Sequence, residues 1–164
     1  MKLSLINLCS IIFLHKLNNH IQTKGEIEMI QIIAGEKGEG KTKKLIAMAN
    51  EAGKTSNGHV VFIDDDNRHM YDLHYNIRFV KTNYVMTDQK ILFGFICGIL
   101  SQDNDIEQIY IDGLHNIVKD LKAEDIAEFV KSLEGLSAEN NVDFVFIISG
   151  NKDTLPEEVK KYIA

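Results

Sequence analysis

The stretch GEKGEGKT at residues 35–42 decides the fold, because it joins a β-rich run to a helical one. The apolar run 29–34 precedes it, and residues 41–52 follow with apolar side chains at helical spacing. The eight residues match the pattern G-x-x-x-x-G-K-[ST] in full. Glycines permit positive φ, so successive backbone N–H groups can turn inward and bind an anion. The stretch therefore predicts a phosphate-binding loop between a strand and a helix.

Two residues at the end of this loop carry the predicted chemistry. Lys41 is expected to bridge the β- and γ-phosphates of ATP, next to the positive end of the helix. Thr42 is expected to hold Mg²⁺ through its hydroxyl. The side chains of Glu36 and Glu39 should point away, since they would repel phosphate. The predicted nucleotide-binding residues are Gly35, Glu36, Lys37, Gly38, Glu39, Gly40, Lys41 and Thr42.

Strands and helices alternate along the rest of the chain. The apolar patterns predict strands at 29–34, 59–64, 77–80, 108–112 and 142–149. They predict helices at 41–52 before Gly53, at 87–100 capped by Thr87, at 121–139, and after a capping box at Thr154. This alternation predicts an α/β fold, a three-layer αβα domain over residues 29–164 with a mainly parallel sheet of four to five strands.

Residues 1–28 differ from this pattern. An apolar run at residues 3–14 is too short to span a bilayer and has no signal-peptide cleavage site after it. The tail KGEIEM at residues 24–29 can be encoded as a purine-rich ribosome-binding sequence followed by a start codon. We therefore interpret the segment as an N-terminal extension, either a mis-called start before Met29 or a flexible addition, with no stable membrane anchor.

Composition limits the classes of function. The chain is 45% hydrophobic and 26% charged, which excludes collagen-like and disordered proteins. Its formal net charge of −6 makes nucleic acid a poor partner, because duplex binders carry basic surfaces. Cys9 and Cys97 share no metal-ligand spacing and form no disulfide framework. We therefore expect a protein of the reducing cytoplasm.

A second acidic element is expected wherever a phosphate loop binds Mg²⁺. Asp112 ends the apolar run 109–111 and fits the carboxylate that holds the metal through water or through the Thr42 hydroxyl. An aspartate before Gly113 is also a turn signal, and that second interpretation stays open.

The segment Phe62-Ile63-Asp64-Asp65-Asp66 resembles the end of the second strand in RecA-like ATPases, which reads Phe-Ile-Asp-Ala-Glu. The chain is also similar to small stand-alone P-loop proteins of Firmicutes-type bacteria, some labelled twitching-motility ATPases. The resemblance implies that Asp66 replaces the family's catalytic glutamate and acts with Lys41, with Asp65 as the next candidate. It also implies that Ser149 senses the γ-phosphate. Solvated loop charge remains the alternative for the acidic triplet.

These observations favour ATP binding with slow, Mg²⁺-dependent hydrolysis. A partner or a second copy of the chain would supply an arginine in trans. The alternative is a nucleotide-binding switch or assembly module with little hydrolysis. A GTPase is a minor alternative, because residues 151–154 read NKDT where the guanine-reading motif is N-K-x-D.

Overall fold

The computed structural model describes residues 29–164, so the interpretation of residues 1–28 lies outside the described part of the chain. The strands are β1 (Ile30–Gly35), β2 (His59–Asp64), β3 (Ile77–Lys81), β4 (Ile106–Ile111) and β5 (Asp143–Ser149). The helices are α1 (Lys41–Thr55), α2 (Gln89–Gln102), α3 (Leu114–Ile117), α4 (Ala123–Asn140) and α5 (Glu157–Lys160). Short 3-10 turns lie at Met70–Asp72 and Lys152–Thr154.

The five strands form one sheet in the order β1-β5-β4-β2-β3, and every neighbouring pair is parallel. The chain end covers the outer edge of β1, because the Ile32 N–H donates to the Tyr162 carbonyl and the Ala164 N–H donates to the Ile32 carbonyl. The prediction of an αβα fold with a parallel sheet is confirmed. A parallel sheet brings the carboxyl ends of all five strands to one edge.

Helices cover both faces of this sheet, which explains why its central strands read as unbroken apolar runs. Helix α1 packs on one face through Leu45, Ala49 and Ala52, against strand residues that include Phe62 and Tyr110. Helices α2 and α4 pack on the other face, where a larger core includes the edge-to-face pair of Phe129 and Phe146. Among the described residues, no helix is both long enough and apolar enough to cross a membrane.

Each predicted helix differs from the observed one by a few residues at one or both ends, and three of the differences have a physical reason. Helix α1 continues past Gly53 to Thr55, so this glycine does not end the helix. It lets Ile77 of β3 approach closely, since a Cβ there would lie 2.8 Å from Ile77 Cγ1. Helix α2 is capped by Asp88 and not by Thr87. The Thr154 hydroxyl donates to the Asn151 carbonyl, so it does not cap α5, which begins after Pro156.

The cap of α2 provides a direct test of the observed boundary. Asp88 Oδ1 accepts the N–H groups of Lys90 and Ile91 at 2.9 and 3.1 Å. Asp88→Ala should therefore lower the free energy of unfolding by about 1 kcal/mol. Thr87→Ala is the matched control and should change it by less than about 0.5 kcal/mol. Urea titrations of the two variants measure both values, and a larger loss in the Thr87 variant would contradict the assignment.

Candidate functional site

The loop at residues 35–42 lies between the end of β1 and the start of α1, as its sequence predicts. Gly38 and Gly40 have φ of 94° and 77°, which L-residues with a side chain rarely adopt. Their backbone conformation explains the glycines in the motif and is the kind that forms anion-binding nests. Gly40 is the N-cap of α1, so the positive end of a fifteen-residue helix points at the loop.

The side chain of Lys41 folds back over the loop. It is only 9% exposed, and its Nζ donates to the Glu36 carbonyl at 2.5 Å. Thr42 follows it in the first turn of α1 and is half-buried. Both residues line the cleft described below. A lysine ammonium is therefore held at the centre of the loop, where it would meet an anion.

Glu39 departs from the expectation that it points away from the loop. Its Oε2 accepts the Glu36 N–H at 3.1 Å and lies against Gly35, where a Cβ would overlap it. The expectation is wrong for Glu39, because a loop N–H attracts the nearest carboxylate. Glu36 is exposed.

An open cleft of about 660 Å³ runs along the carboxyl edge of the sheet from the loop to the end of β2. Its volume is in the range of small-molecule sites, and strand carboxyl ends are where open α/β sheets bind ligands. Positive groups on the loop face carboxylates on the strand ends. The charged or ionisable residues that line it are Lys37, Lys41, Asp64, Asp65, Arg68, His69, Asp112 and His115.

Two buried carboxylates lie side by side at this edge. Ile63 of β2 and Ile111 of β4 are paired in register, so the next residues, Asp64 and Asp112, are adjacent. They are 4% and 9% exposed. Burial, followed by the charge of Asp112, raises the pKa of Asp64 from 3.8 to about 7.

Sequence reasoning assigned Asp112 to the metal and gave Asp64 no role. The signal for Asp64 was its position, because it ends a buried apolar run as Asp112 does. Each carboxylate accepts the N–H of the next residue at 2.7 Å, which fixes one oxygen of each. Thr42 lines the same cleft. This set of hard oxygen donors, with a buried carboxylate pair in need of a counter-charge, fits Mg²⁺.

Asp65 lies against the turn that follows Asp112. Its Oδ1 accepts from Asn116 Nδ2 at 3.2 Å, and a Cβ at Gly113 would overlap that same oxygen. Gly113 also has a φ of 68°, so both the space and the backbone favour glycine there. The Asp65 carboxylate thus occupies the space that a side chain at position 113 would otherwise enter, and it lines the cleft.

Asp66 and Ser149 are the remaining residues singled out from the sequence. Asp66 is not among the residues that line the cleft, and its carboxylate is bound to Arg68. Ser149 ends β5 next to Gly35 of the loop and does line the cleft. The cleft thus brings together Asp112, Ser149 and five of the eight predicted loop residues, namely Lys37, Gly38, Gly40, Lys41 and Thr42. The other three, Gly35, Glu36 and Glu39, are not in its lining, and neither is Asp66.

The NKDT segment does not join the cleft lining. Asn151 Oδ1 accepts the Asp153 N–H at 2.8 Å and caps the turn Lys152–Thr154, so the side chain is used locally.

A separate group lies at the start of β2, at the amino edge of the sheet. His59, Asp103 and Asp105 bring one ligand atom each within 4.8 Å of the others, close enough to hold a metal ion. His59 Nδ1 lies 2.8 Å from Asp103 Oδ2, so a hydrogen bond already joins these two side chains. Because His59 is far from Asp103 and Asp105 in the chain, the sequence alone did not indicate this group.

Comparison with known proteins adds no family to these observations. No protein-family model matches the chain, and no curated protein matches it.

Proposed function

We propose that this domain binds ATP in the cleft and hydrolyses it slowly with Mg²⁺. The observation that carries the proposal is the loop at residues 35–42 facing the buried pair Asp64 and Asp112 across one cleft. The loop binds phosphate, and the carboxylates supply metal ligands on the opposite side. The parallel sheet that brings Ser149 to the same edge supports kinship with RecA-like ATPases.

Each side chain would have one role. Lys41 would neutralise the β- and γ-phosphates, and Ser149 would contact the γ-phosphate from the end of β5. Thr42, Asp112 and Asp64 would hold the metal or its bound waters. Mg²⁺, when bound, supplies positive charge that stabilises the phosphates and the leaving group. These residues alone account for binding and charge neutralisation but not for activation of water.

Asp65 is the better candidate for activating water, although the resemblance to RecA-like ATPases favours Asp66. Many P-loop ATPases have a glutamate directly after the metal aspartate, at the position of Gly113 here. The Asp65 carboxylate fills the space of that missing side chain and lines the cleft. Asn116 donates a hydrogen bond to this carboxylate, which would fix its orientation toward an attacking water. The role of Asp66 stays a prediction that the variants below test.

A nucleotide-binding switch or assembly module is the second candidate. The observation that favours it is the bond between Asp66 and Arg68, which commits the aligned catalytic carboxylate to an arginine. The local use of Asn151 gives no support to the minor GTPase alternative. Either candidate would act in the cytoplasm without nucleic acid. A partner or second copy that supplies an arginine in trans stays a prediction.

Heat stability with and without MgATP tests the proposal. A ligand that binds only the native state stabilises it by about 2.7 kcal/mol at a hundredfold excess over its dissociation constant. Lys41→Ala should abolish most of the resulting shift in Tm, because it removes the ammonium held over the loop. Lys43→Ala is the matched control, since Lys43 is an exposed lysine two residues further along α1.

The Tm shift of the Lys41 variant tests the binding site, and the release of ADP distinguishes the ATPase from the switch. An unchanged Tm shift in the Lys41 variant would show that the loop is not the binding site. ADP release above the background of that variant supports the ATPase, whereas nucleotide binding without release supports the switch.

A further inference from the structure

Arg68 is the arginine of the cleft. The sequence contains two arginines, Arg68 and Arg78. Arg68 lies in the segment after β2 and lines the cleft. Arg78 lies on β3, and its charge helps to lower the pKa of Asp103 near the amino edge of the sheet. The loop at residues 35–42 follows β1, and β5 and β4 lie between β1 and β2 in the sheet. Arg68 therefore faces the loop from the opposite wall, beyond Asp112 and Asp64.

Asp66 holds this arginine in a defined position. Asp66 Oδ1 accepts the Arg68 backbone N–H at 2.8 Å, and Oδ2 accepts from Nε at 2.6 Å. The same Oδ2 forms an ion pair with Nη2 at 2.6 Å. The backbone N–H, together with the guanidinium, lowers the pKa of Asp66. The carboxylate is thus kept charged and bound along one side of the guanidinium.

The other side of the guanidinium remains available to a ligand. Among residues 29–164, Asp66 is the one residue that forms a hydrogen bond or an ion pair with the Arg68 side chain, and that side chain is 76% exposed. A guanidinium has five N–H donors in a rigid planar fork, so an arginine anchored through Nε and Nη2 can still bind phosphate oxygens. Anchoring also reduces the rotamer entropy that the long side chain would lose on binding.

We propose that Arg68 binds the terminal phosphate of a nucleoside triphosphate, with Asp66 as its positioning residue. The inference rests on the proposed function, because it assumes that the loop binds the inner phosphates. With those phosphates on the loop, a phosphate chain that follows the cleft would extend along the carboxyl edge toward β4 and β2. The site would then distinguish triphosphate from diphosphate with an arginine of its own, without one in trans.

The Arg68–Asp66 pair is suited to a test by substitution. Exposed ion pairs contribute little to stability, so variants of either residue should fold. Calorimetric titration with MgADP and with a non-hydrolysable MgATP analogue measures both affinities without any turnover. Arg68→Ala should weaken triphosphate binding by about 10–100-fold, the loss expected for charge-assisted hydrogen bonds. Diphosphate binding should change by less than about threefold.

Three further variants separate positioning from charge. Arg68→Lys should recover less than half of the binding free energy for triphosphate that Arg68→Ala loses, because an ammonium lacks the planar fork of a guanidinium. Asp66→Asn should lower triphosphate affinity by about 3–10-fold, since the anchor is weakened and the arginine is retained. Arg78→Ala is the matched control and should leave both affinities unchanged.

Equal losses for both nucleotides, or no loss in the Arg68 variants, would overturn the inference while the proposed function stands. Failure of the proposed function gives a different result, because the unmodified protein would then bind neither nucleotide.

Discussion

Replacing Asp65 by asparagine should lower ATP turnover by about 10²–10⁴-fold, the usual contribution of a group that accepts a proton in the transition state. Asparagine keeps the size of the side chain and can still accept from Asn116, so the cleft should keep its shape. Because Asp65 contacts no phosphate in the proposed arrangement, MgATP affinity should stay within about threefold of the unmodified protein. Single-turnover kinetics with direct detection of ADP measures the rate, and calorimetry measures the affinity.

Asp66→Asn is the comparison variant for this experiment, because the two aspartates are neighbours in the chain but lie in different surroundings. Asp65 lines the cleft, whereas Asp66 is bound to Arg68. If Asp65 activates water, the Asp65 variant loses turnover while its MgATP affinity stays constant. The main loss in the Asp66 variant is then in triphosphate affinity. A large loss of turnover at unchanged affinity in the Asp66 variant would instead support the alignment with the RecA-like glutamate.

The layered fold was predictable from the sequence because buried parallel strands leave a strong pattern. The prediction for β2, at 59–64, agrees with the observed bounds His59–Asp64, since the run is apolar and ends in charge. The position of the glycine-rich loop between a strand and a helix was equally clear, because two of its glycines have a positive φ. Boundaries were less certain where side chains compete, as Thr87 and Asp88 do for the cap of α2.

The carboxylate arrangement was harder to predict, because it depends on contacts between distant parts of the chain. The Asp64–Asp112 pair arises from the register of β2 and β4, which no local pattern specifies. Asp65 and Asp66 are neighbours of the same residue type, so the sequence cannot tell which one turns into the cleft. The turn at Gly113 makes room for Asp65, and the Arg68 backbone and side chain bind Asp66.

The buried carboxylate pair should make this protein sensitive to pH in the absence of metal. Asp64 has a pKa of about 7 in the folded protein, against an ordinary value of 3.8. Between these values the native state binds one proton more than the unfolded state, so stability falls as pH rises through this window. The slope is at most about 1.4 kcal/mol per pH unit for one proton. Deprotonated Asp64 beside Asp112 is the unfavourable state that a bound cation would relieve.

Asp112→Asn should therefore change function and stability in opposite directions. Asparagine can still accept the Gly113 N–H, but it removes a charge next to the proposed metal, so Mg²⁺-dependent ATP affinity should fall by about 10–100-fold. Measured with a chelator above about pH 7, the free energy of unfolding should rise, because Asp64 loses a buried like charge. The pH slope should weaken but persist, since burial is the larger cause of the Asp64 shift.

Asp64→Asn is the matched variant, because it removes the titrating group and should abolish that part of the slope. Titration of MgATP and of ATP with chelator, together with urea unfolding from about pH 5 to pH 8, measures all of these quantities. A variant at Asp112 that binds MgATP normally would remove this carboxylate from the metal site. Lower stability at high pH in both variants would show that the hydrogen bonds of Asp64 and Asp112 stabilise the fold by more than the repulsion between the two carboxylates destabilises it.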